Sequence, residues 1–356
     1  TLALSERIGF KKGIGNAYCS MGVINTNFYL FIPAFEFLNK SLKIREEIND
    51  RQGIAGCYHY FANIYTHQGK DVDALKNYFA ALKILEETGD IGLQAALVNR
   101  NIGHIYAAQE NFTESMKYQS AALKILNEVG DKLNIAESYV SIGSIYYRQD
   151  NFTEAKKYYS AALKIFRELG DKDGIGRCLN NIGAICYLQG NYEETTKYFL
   201  MALKLAEETE DKFKMAMYYN NLGEVYIRQN KLNDASRYLE KGLSLSKELG
   251  IMSRLKQSFE IQAMLDSAQG NFKQAMEHYK LYIIYRDSLI NDEKTKKFVQ
   301  SQMQYEFDKK EASIKAEQEI KNIKQTAELS KQKQQKYYFI AGGILLLLIA
   351  FILVNR

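Results

Sequence analysis

The side chains best suited to chemistry are few and scattered. The histidines are His59, His67, His104 and His278, and the cysteines are Cys19, Cys57, Cys178 and Cys186. Two histidines four apart around a glutamate would hold zinc and activate water. A glycine-rich loop ending in Lys-Ser or Lys-Thr would cradle phosphate, and a serine between glycines at a sharp turn would supply a nucleophile. None of these patterns occurs. The cysteines form no Cys-x-x-Cys pair, and each falls within an apolar helical stretch. They read as small buried hydrophobes in preference to metal ligands or a disulfide. Ser, Asp and Glu are abundant but fall at helix caps and solvent faces. No catalytic residue, metal or cofactor is expected in these residues; any enzymatic chemistry of a longer protein would lie beyond Arg356.

The elements that must position whatever function remains are helices. The 356 residues contain one proline and no tryptophan, against 26 tyrosines and 18 phenylalanines, with Ala, Leu, Lys and Glu in quantity. Such a composition is that of a nearly all-helical chain. The net charge of +5 is small, and its basic residues are interspersed with acids. Nucleic-acid binding needs a concentrated basic face and is disfavoured.

An internal repeat organises most of the chain. The stretches beginning NIGHIYAAQENFTES at Asn101, SIGSIYYRQDNFTEA at Ser141, NIGAICYLQGNYEET at Asn181 and NLGEVYIRQNKLNDA at Asn221 are near copies. Gly103, Gly143, Gly183 and Gly223 step by 40 residues, and weaker copies centre on Gly22, Ala62 and Ala263. One extra residue separates the second and third units. The series predicts seven helix pairs over 13–290, each a helix, a short turn and a second helix. Asn111, Asn151 and Asn191 stand three residues before Glu114, Glu154 and Glu194, the spacing of a capping box. Gly130-Asp131 and Gly170-Asp171 supply the left-handed stop after the second helix. Small residues such as Gly143 and Ala162 let helices approach. Tyr146, Tyr159 and Leu163 are expected to fill the gap to the next pair, each contributing about 1.5–3 kcal/mol when buried. One pair cannot bury its own faces, so stability comes from stacking. Residues 1–12 align with the end of a second helix, so the natural protein is expected to begin upstream of Thr1.

The order Gly143, Tyr146, Ala155, Tyr159, Ala162, with Gly103, Tyr106, Gly183, Gly223 and Tyr226 in register, resembles the tetratricopeptide repeat. Its period of 40 resembles the longer-helix variety of signalling adaptors. Asn25, Cys186 and Asp266 depart from the aromatic position, the last consistent with a partly degenerate terminal unit. The resemblance implies an all-α, right-handed superhelical solenoid whose concave face, lined by the first helices, binds a protein or peptide. The residues it directs inward are Arg100, His104, Ser144, Tyr147, Arg148, Asn180, Asn181, Tyr187, Asn220, Asn221, Glu224 and Arg228. Asn amides both donate and accept, which suits an extended peptide backbone, and Arg148 and Arg228 could pair with a carboxylate.

Residues 291–336 lack glycine and proline and are dominated by Lys, Glu and Gln. Sparse apolar points at Phe298, Met303, Phe307, Ile314, Ile320 and Ile323 leave two readings: a solvated helical linker, or a coiled-coil seam that makes a homodimer. Residues 337–354 form 18 uncharged positions, about 27 Å of helix at 1.5 Å per residue, and predict one transmembrane helix. Lys331, Lys333 and Lys336 before it favour repeats on the cytoplasmic side. The run LYIIYRDSLINDEKTKKFVQ from Leu281, followed by this segment, resembles Bacteroidetes-type membrane-anchored signalling proteins. That resemblance implies the opposite topology: periplasmic repeats in the bacterial inner membrane, coupled to a cytoplasmic histidine kinase, nucleotide cyclase or helix-turn-helix output domain absent from this chain. A membrane-tethered scaffold without an output domain is the alternative.

Overall fold

The structure, a computed structural model, describes residues 2–291 and Lys331. Every element among them is helical: α1 (Leu2–Arg7), α2 (Lys11–Asn27), α3 (Phe31–Glu47), α4 (Arg51–His67), α5 (Asp71–Thr88), α6 (Leu93–Ala108) and α7 (Phe112–Val129). There follow α8 (Lys132–Arg148), α9 (Phe152–Leu169), α10 (Lys172–Leu188), α11 (Tyr192–Glu208), α12 (Lys212–Arg228), α13 (Leu232–Leu249) and α14 (Met252–Ala268). A last helix, α15, covers 272–291. From α2 to α12 each even-numbered helix packs most closely on the odd-numbered helix after it, and that second helix packs on the next pair. First helices also touch one another, α2 on α4, α4 on α6, α6 on α8 and α12 on α14. Among the described residues, second helices do not meet to the same extent, so the stack closes towards its first helices. No described helix is long and apolar enough to cross a membrane. The expected span, 337–354, lies outside the described residues, as does the linker apart from Asn291 and Lys331.

Both kinds of turn depend on one left-handed residue. Between first and second helices it is Tyr29, Gly69, Glu110, Asp150, Gly190, Asn230 or Gly270; between pairs it is Gly9, Asn49, Gly89, Gly130, Gly170, Glu210 or Gly250. Glycine adopts this conformation without steric cost, and the six non-glycine residues show that the turn outlasts the loss of glycine. The extra residue of the third unit is absorbed between α5 and α6, where Asp90, Ile91 and Gly92 precede the helix.

Half of the expected capping box is present. Asn151 Oδ1 accepts the backbone N–H of Glu154 at 3.2 Å. The reciprocal bond is not made, because the N–H of Asn151 already donates to the Tyr146 carbonyl at 2.9 Å. Glu154 instead accepts from Lys157 at 2.9 Å. Asn111 and Asn191 repeat the arrangement, their N–H groups donating to the carbonyls of Tyr106 and Cys186.

Packing corrects another expectation. Tyr146 and Tyr159 act mainly within their own pair. A Cβ on Gly143 would lie 2.8 Å from the Tyr159 ring, and one on Gly183 would lie 2.7 Å from Phe199. The small residue is thus a seat for the large side chain sixteen positions on, and Gly223 seats Leu239 likewise. Tyr146 stacks on Tyr158 at 5.6 Å, as Tyr106 does on Tyr118 at 5.7 Å and Tyr226 on Tyr238 at 5.3 Å. Ala155 and Ala162 are fully buried between the helices. In the last unit Asp266 stands in for the first ring and His278 for the second. Their 2.6 Å contact gives the buried Asp266 carboxyl a hydrogen-bond partner, so this unit is rebuilt around an imidazole–carboxyl hydrogen bond.

Gln119 is the misfit in this core. It occupies the position of Tyr159, Phe199 and Leu239 and is fully buried. Its Nε2 donates to the Arg100 carbonyl at 3.1 Å, while its Oε1 has no partner. Replacing it by Leu, the residue at the same position in α13, removes an unsatisfied polar atom, and urea denaturation should show a gain of about 1 kcal/mol. Gly143→Val should lose about 1–3 kcal/mol in the same assay through overpacking against Tyr159. If both changes are neutral, the seat described here does not govern pair stability.

Candidate functional site

The polar residues of the first helices join one helix to the next. Arg254, near the start of α14, donates through Nη1 to Gln257 Oε1 at 3.1 Å. Gln257 Nε2 donates to Asn221 Oδ1 on α12 at 2.9 Å. Asn221 Nδ2 donates to Asn180 Oδ1 on α10 at 3.4 Å, and Asn180 Nδ2 to Asn181 Oδ1 at 3.5 Å. This amide ladder crosses three consecutive first helices. Its last two bonds lie at the limit of hydrogen-bond length, well beyond the usual 2.9–3.0 Å or so. Beside it, the Tyr187 hydroxyl donates to Glu224 at 2.6 Å and accepts from Arg228 Nε at 3.0 Å.

The other expected groove residues are placed unevenly. His104 is exposed and meets Ser141 Oγ at 2.9 Å, and Arg100 donates to Asn134 at 2.8 Å. Ser144 bonds the Tyr159 hydroxyl at 3.1 Å, which ties it to the packing seat. Tyr147 leans edge-on against Phe152. Arg148 turns back to the Ala107 carbonyl and Glu110, with its guanidinium over Phe112, so it is not turned towards the ladder. Asn220 does not line a groove at all. It is fully buried, its Nδ2 donates to Ser258 Oγ at 2.8 Å, and a Cβ on Gly242 would strike it. Its position in the register is right, but the glycine opposite draws it inward.

Residues missing from the expected set complete the face. Glu137 accepts from Arg177 Nη2 at 2.5 Å across α8 and α10. Asn101 donates to Asn63 at 3.2 Å and meets His59 Nε2 at 3.3 Å. Glu137, Arg177 and Gln257 stand six residues before the small residue, and Asn134, Lys214 and Arg254 stand nine before it. Both offsets lie on the same helical face as the positions three and two before, so the 40-residue register carried the signal.

Arg254 is unusual among them. Its counterpart in the preceding unit, Lys214, pairs with Asp211 at 2.8 Å and also with Asp173, and both carboxylates raise its pKa. In the last unit those two positions are Ile251 and Phe213. Among the described residues no carboxylate pairs with Arg254. Its guanidinium lies 4.4 Å from the centre of the Phe213 ring, its Nε has no partner, and burial lowers its pKa.

Residues 94–168, 134–208 and 174–248 match the model of the tetratricopeptide repeat. Within 94–248 the stack is made of tetratricopeptide repeats. No curated protein matches the chain. Several solved structures share the fold. The apo form of RapI is 17% identical with a TM-score of 0.62, covering 78% of this chain and 99% of that one. A Rap protein complexed with Competence and Sporulation Factor is 17% identical with a TM-score of 0.55, over 79% of this chain and 76% of that one. The tetratricopeptide-repeat sensor protein PH0952 from Pyrococcus horikoshii, a Signal Transduction ATPase with Numerous Domains, is 17% identical with a TM-score of 0.68. The match covers 79% of this chain and 44% of that one. At such identities the likeness establishes the fold alone.

A buried histidine also stands among the first helices. His59 is buried, and burial together with the charge of Arg100 lowers its pKa to about 4. It is therefore neutral in the folded protein at neutral pH, whereas an unfolded histidine titrates near 6.5. As pH falls below about 6.5 the unfolded chain gains a proton that the folded one resists, and stability declines until about pH 4. The full loss amounts to roughly 3 kcal/mol at 1.4 kcal/mol per pKa unit. His59→Gln should lessen the fall of the denaturation midpoint between pH 6.5 and 4, leaving the share of His104, whose pKa is likewise lowered to about 4. An unchanged pH profile would show that His59 is not the titrating group.

Proposed function

We propose that the first-helix face binds an extended peptide bearing a carboxylate, and that this chain is the ligand-binding part of a membrane-anchored signalling protein. The observation that carries the binding reading is the amide ladder from Asn181 to Gln257 ending on Arg254, a guanidinium without an acid. Long amide–amide bonds are exchanged for peptide backbone bonds at small cost, and amides spaced along successive helices suit the repeat of an extended chain. A ligand carboxylate on Arg254 would take the place that Asp173 and Asp211 hold beside Lys214. Proteins of the same fold include the Rap protein complexed with Competence and Sporulation Factor, which supports ligand binding by a stack of this kind.

The signalling reading rests on the sequence. A polar linker at 291–336 and an apolar segment at 337–354 follow the repeats, and their resemblance to Bacteroidetes-type signalling proteins supports an inner-membrane protein with periplasmic repeats. In this reading ligand binding shifts the stack, and the linker, paired with that of a second copy, passes the change to an output domain beyond Arg356. The lysines before the apolar segment argue for the opposite topology, so the orientation is decided by experiment.

Two measurements test these statements. Peptide-display selection on the full chain should enrich sequences with an Asp, a Glu or a free C-terminal carboxylate. The combined Asn221→Ala and Arg254→Ala variant should bind the selected peptides at least tenfold more weakly by calorimetry, about 1.4 kcal/mol. Equal binding by that variant would remove the ladder from the site. In cells with a permeabilised outer membrane and an intact inner membrane, added protease should cut the repeats. Cleavage that requires lysis would place them in the cytoplasm.

A further inference from the structure

Among the described residues five arginines are buried or half-buried: Arg45, Arg100, Arg177, Arg254 and Arg286. Three of them meet a carboxylate, Arg45 on Asp50, Arg177 on Glu137 and Arg286 on Asp287. Arg100 and Arg254 meet none among the described residues. A guanidinium withdrawn from water with no anion is unfavourable, so each of these two would gain from an acid supplied by a ligand. They are held alike. Arg100 Nη1 donates to Asn134 Oδ1 at 2.8 Å, as Arg254 Nη1 does to Gln257 Oε1 at 3.1 Å. In both residues Nε is enclosed without an acceptor, and Nη2 has no partner among the described residues.

The acids whose charge reaches Arg100 are committed elsewhere. Glu137 accepts from Nη1 and Nη2 of Arg177, at 3.2 and 2.5 Å. Asp131 accepts the backbone N–H of Asn134 at 3.0 Å and its Nδ2 at 2.8 Å. Packing does not call for the cation either, since the units on both sides carry His59 and Val140 at that register position. Asn134, which receives Arg100, holds in α8 the position that Arg254 holds in α14, nine before the small residue. Both guanidinium groups therefore come to the same side of the stack. Between them lie the Arg177–Glu137 pair and the amide ladder from Asn181 to Gln257.

We propose that Arg100 and Arg254 are two anion seats at opposite ends of one groove, and that the ligand is a doubly acidic peptide whose carboxylates are spaced to reach both. This rests on the peptide reading given above and adds to it a second anchor and a length. From the Asn134 position on α8 to Arg254 on α14 there are three first-helix steps of about 10 Å each, about 30 Å in all. An extended chain covers that distance in about eight to ten residues at 3.3 Å each. The amides between the seats take backbone N–H and C=O groups, which every sequence offers, so the two acids set the register of the peptide. Once one acid is seated, the second binds as an intramolecular contact. Guanidinium groups suit both places because they keep their charge when half-buried.

Display of long random peptides on the full chain should return binders with two acids at that spacing. Arg100→Gln should keep its helicity by circular dichroism and bind these peptides at least about tenfold more weakly by calorimetry. Exchanging one peptide acid for its amide should cost the unmodified chain as much and cost Arg100→Gln nothing further. Exchanging the other acid should show the same relation with Arg254→Gln. The amide exchanges on the unmodified chain test the need for two acids even where a variant fails to fold. Binders with a single acid, acids at no fixed spacing, or losses that add in Arg100→Gln would overturn the second seat and leave Arg254 and the ladder standing. No binder at all, or binders indifferent to Arg254→Gln, would overturn the peptide reading and the pair of seats with it.

Discussion

The fit of one large second-helix side chain into the seat left by a small first-helix residue is the contact on which this stack depends. Tyr159 over Gly143, Phe199 over Gly183 and Leu239 over Gly223 are the same joint made with different side chains. Each joint fixes how far the two helices of a pair separate, and that fixes which side chains are left to face the next pair. The tyrosine stack three residues along each first helix follows from it, since Tyr146 meets Tyr158 only when the helices are held at that spacing. Units that lose the stack keep the seat. Cys186 stands where a ring is expected, yet Phe199 still covers Gly183.

A stack that closes towards its first helices crowds polar side chains on that side. Those side chains cannot be replaced freely by apolar ones without exposing a hydrophobic face, and they cannot be buried without partners. The chain resolves this by pairing them across units: Arg177 with Glu137, Asn221 with Asn180 and Gln257, Asn101 with Asn63. Exposed ion pairs such as Lys132–Glu168, Lys172–Glu208 and Lys212–Glu248 repeat at one spacing along the pairs. Exposed as they are, they add little to stability, so register comes from the seats and the ladder.

Much of the fold was legible because a 40-residue repeat samples each position many times. Gly143, Ala155, Tyr159 and Ala162 announced their roles through their copies. What the sequence concealed was the partner of each side chain. Tyr146 was expected to reach the next pair because its own partner, Tyr158, is twelve residues away across a turn that periodicity alone does not fold. Asp266 looked like decay until His278, at the position of that second tyrosine, lay beside it. Asn220 had the register of a groove residue, but burial depends on the glycine at position 242 opposite. The site was half legible: the amides were found, and Arg254 was missed because the inward offsets stopped at three residues before the small residue.

Repetition also separates function from packing in a way that a single domain does not allow. A position that serves packing should tolerate the same residue class in every unit, and where it changes, its neighbours should change to keep the joint closed. Asp266 with His278 behaves so, and the change explains itself. Arg254 does not, for the two acids beside Lys214 have become Ile251 and Phe213 while the cation has been kept. Arg45 is kept in a hydrocarbon position together with a buried serine, although Leu85, Leu126 and Phe166 show that an apolar residue would close the joint. At Arg45 stability offers no reason to hold a charge, since the apolar solution stands one unit away in the same chain. Arg254, a cation kept where both acids were lost, is the position that the proposed carboxylate ligand would answer.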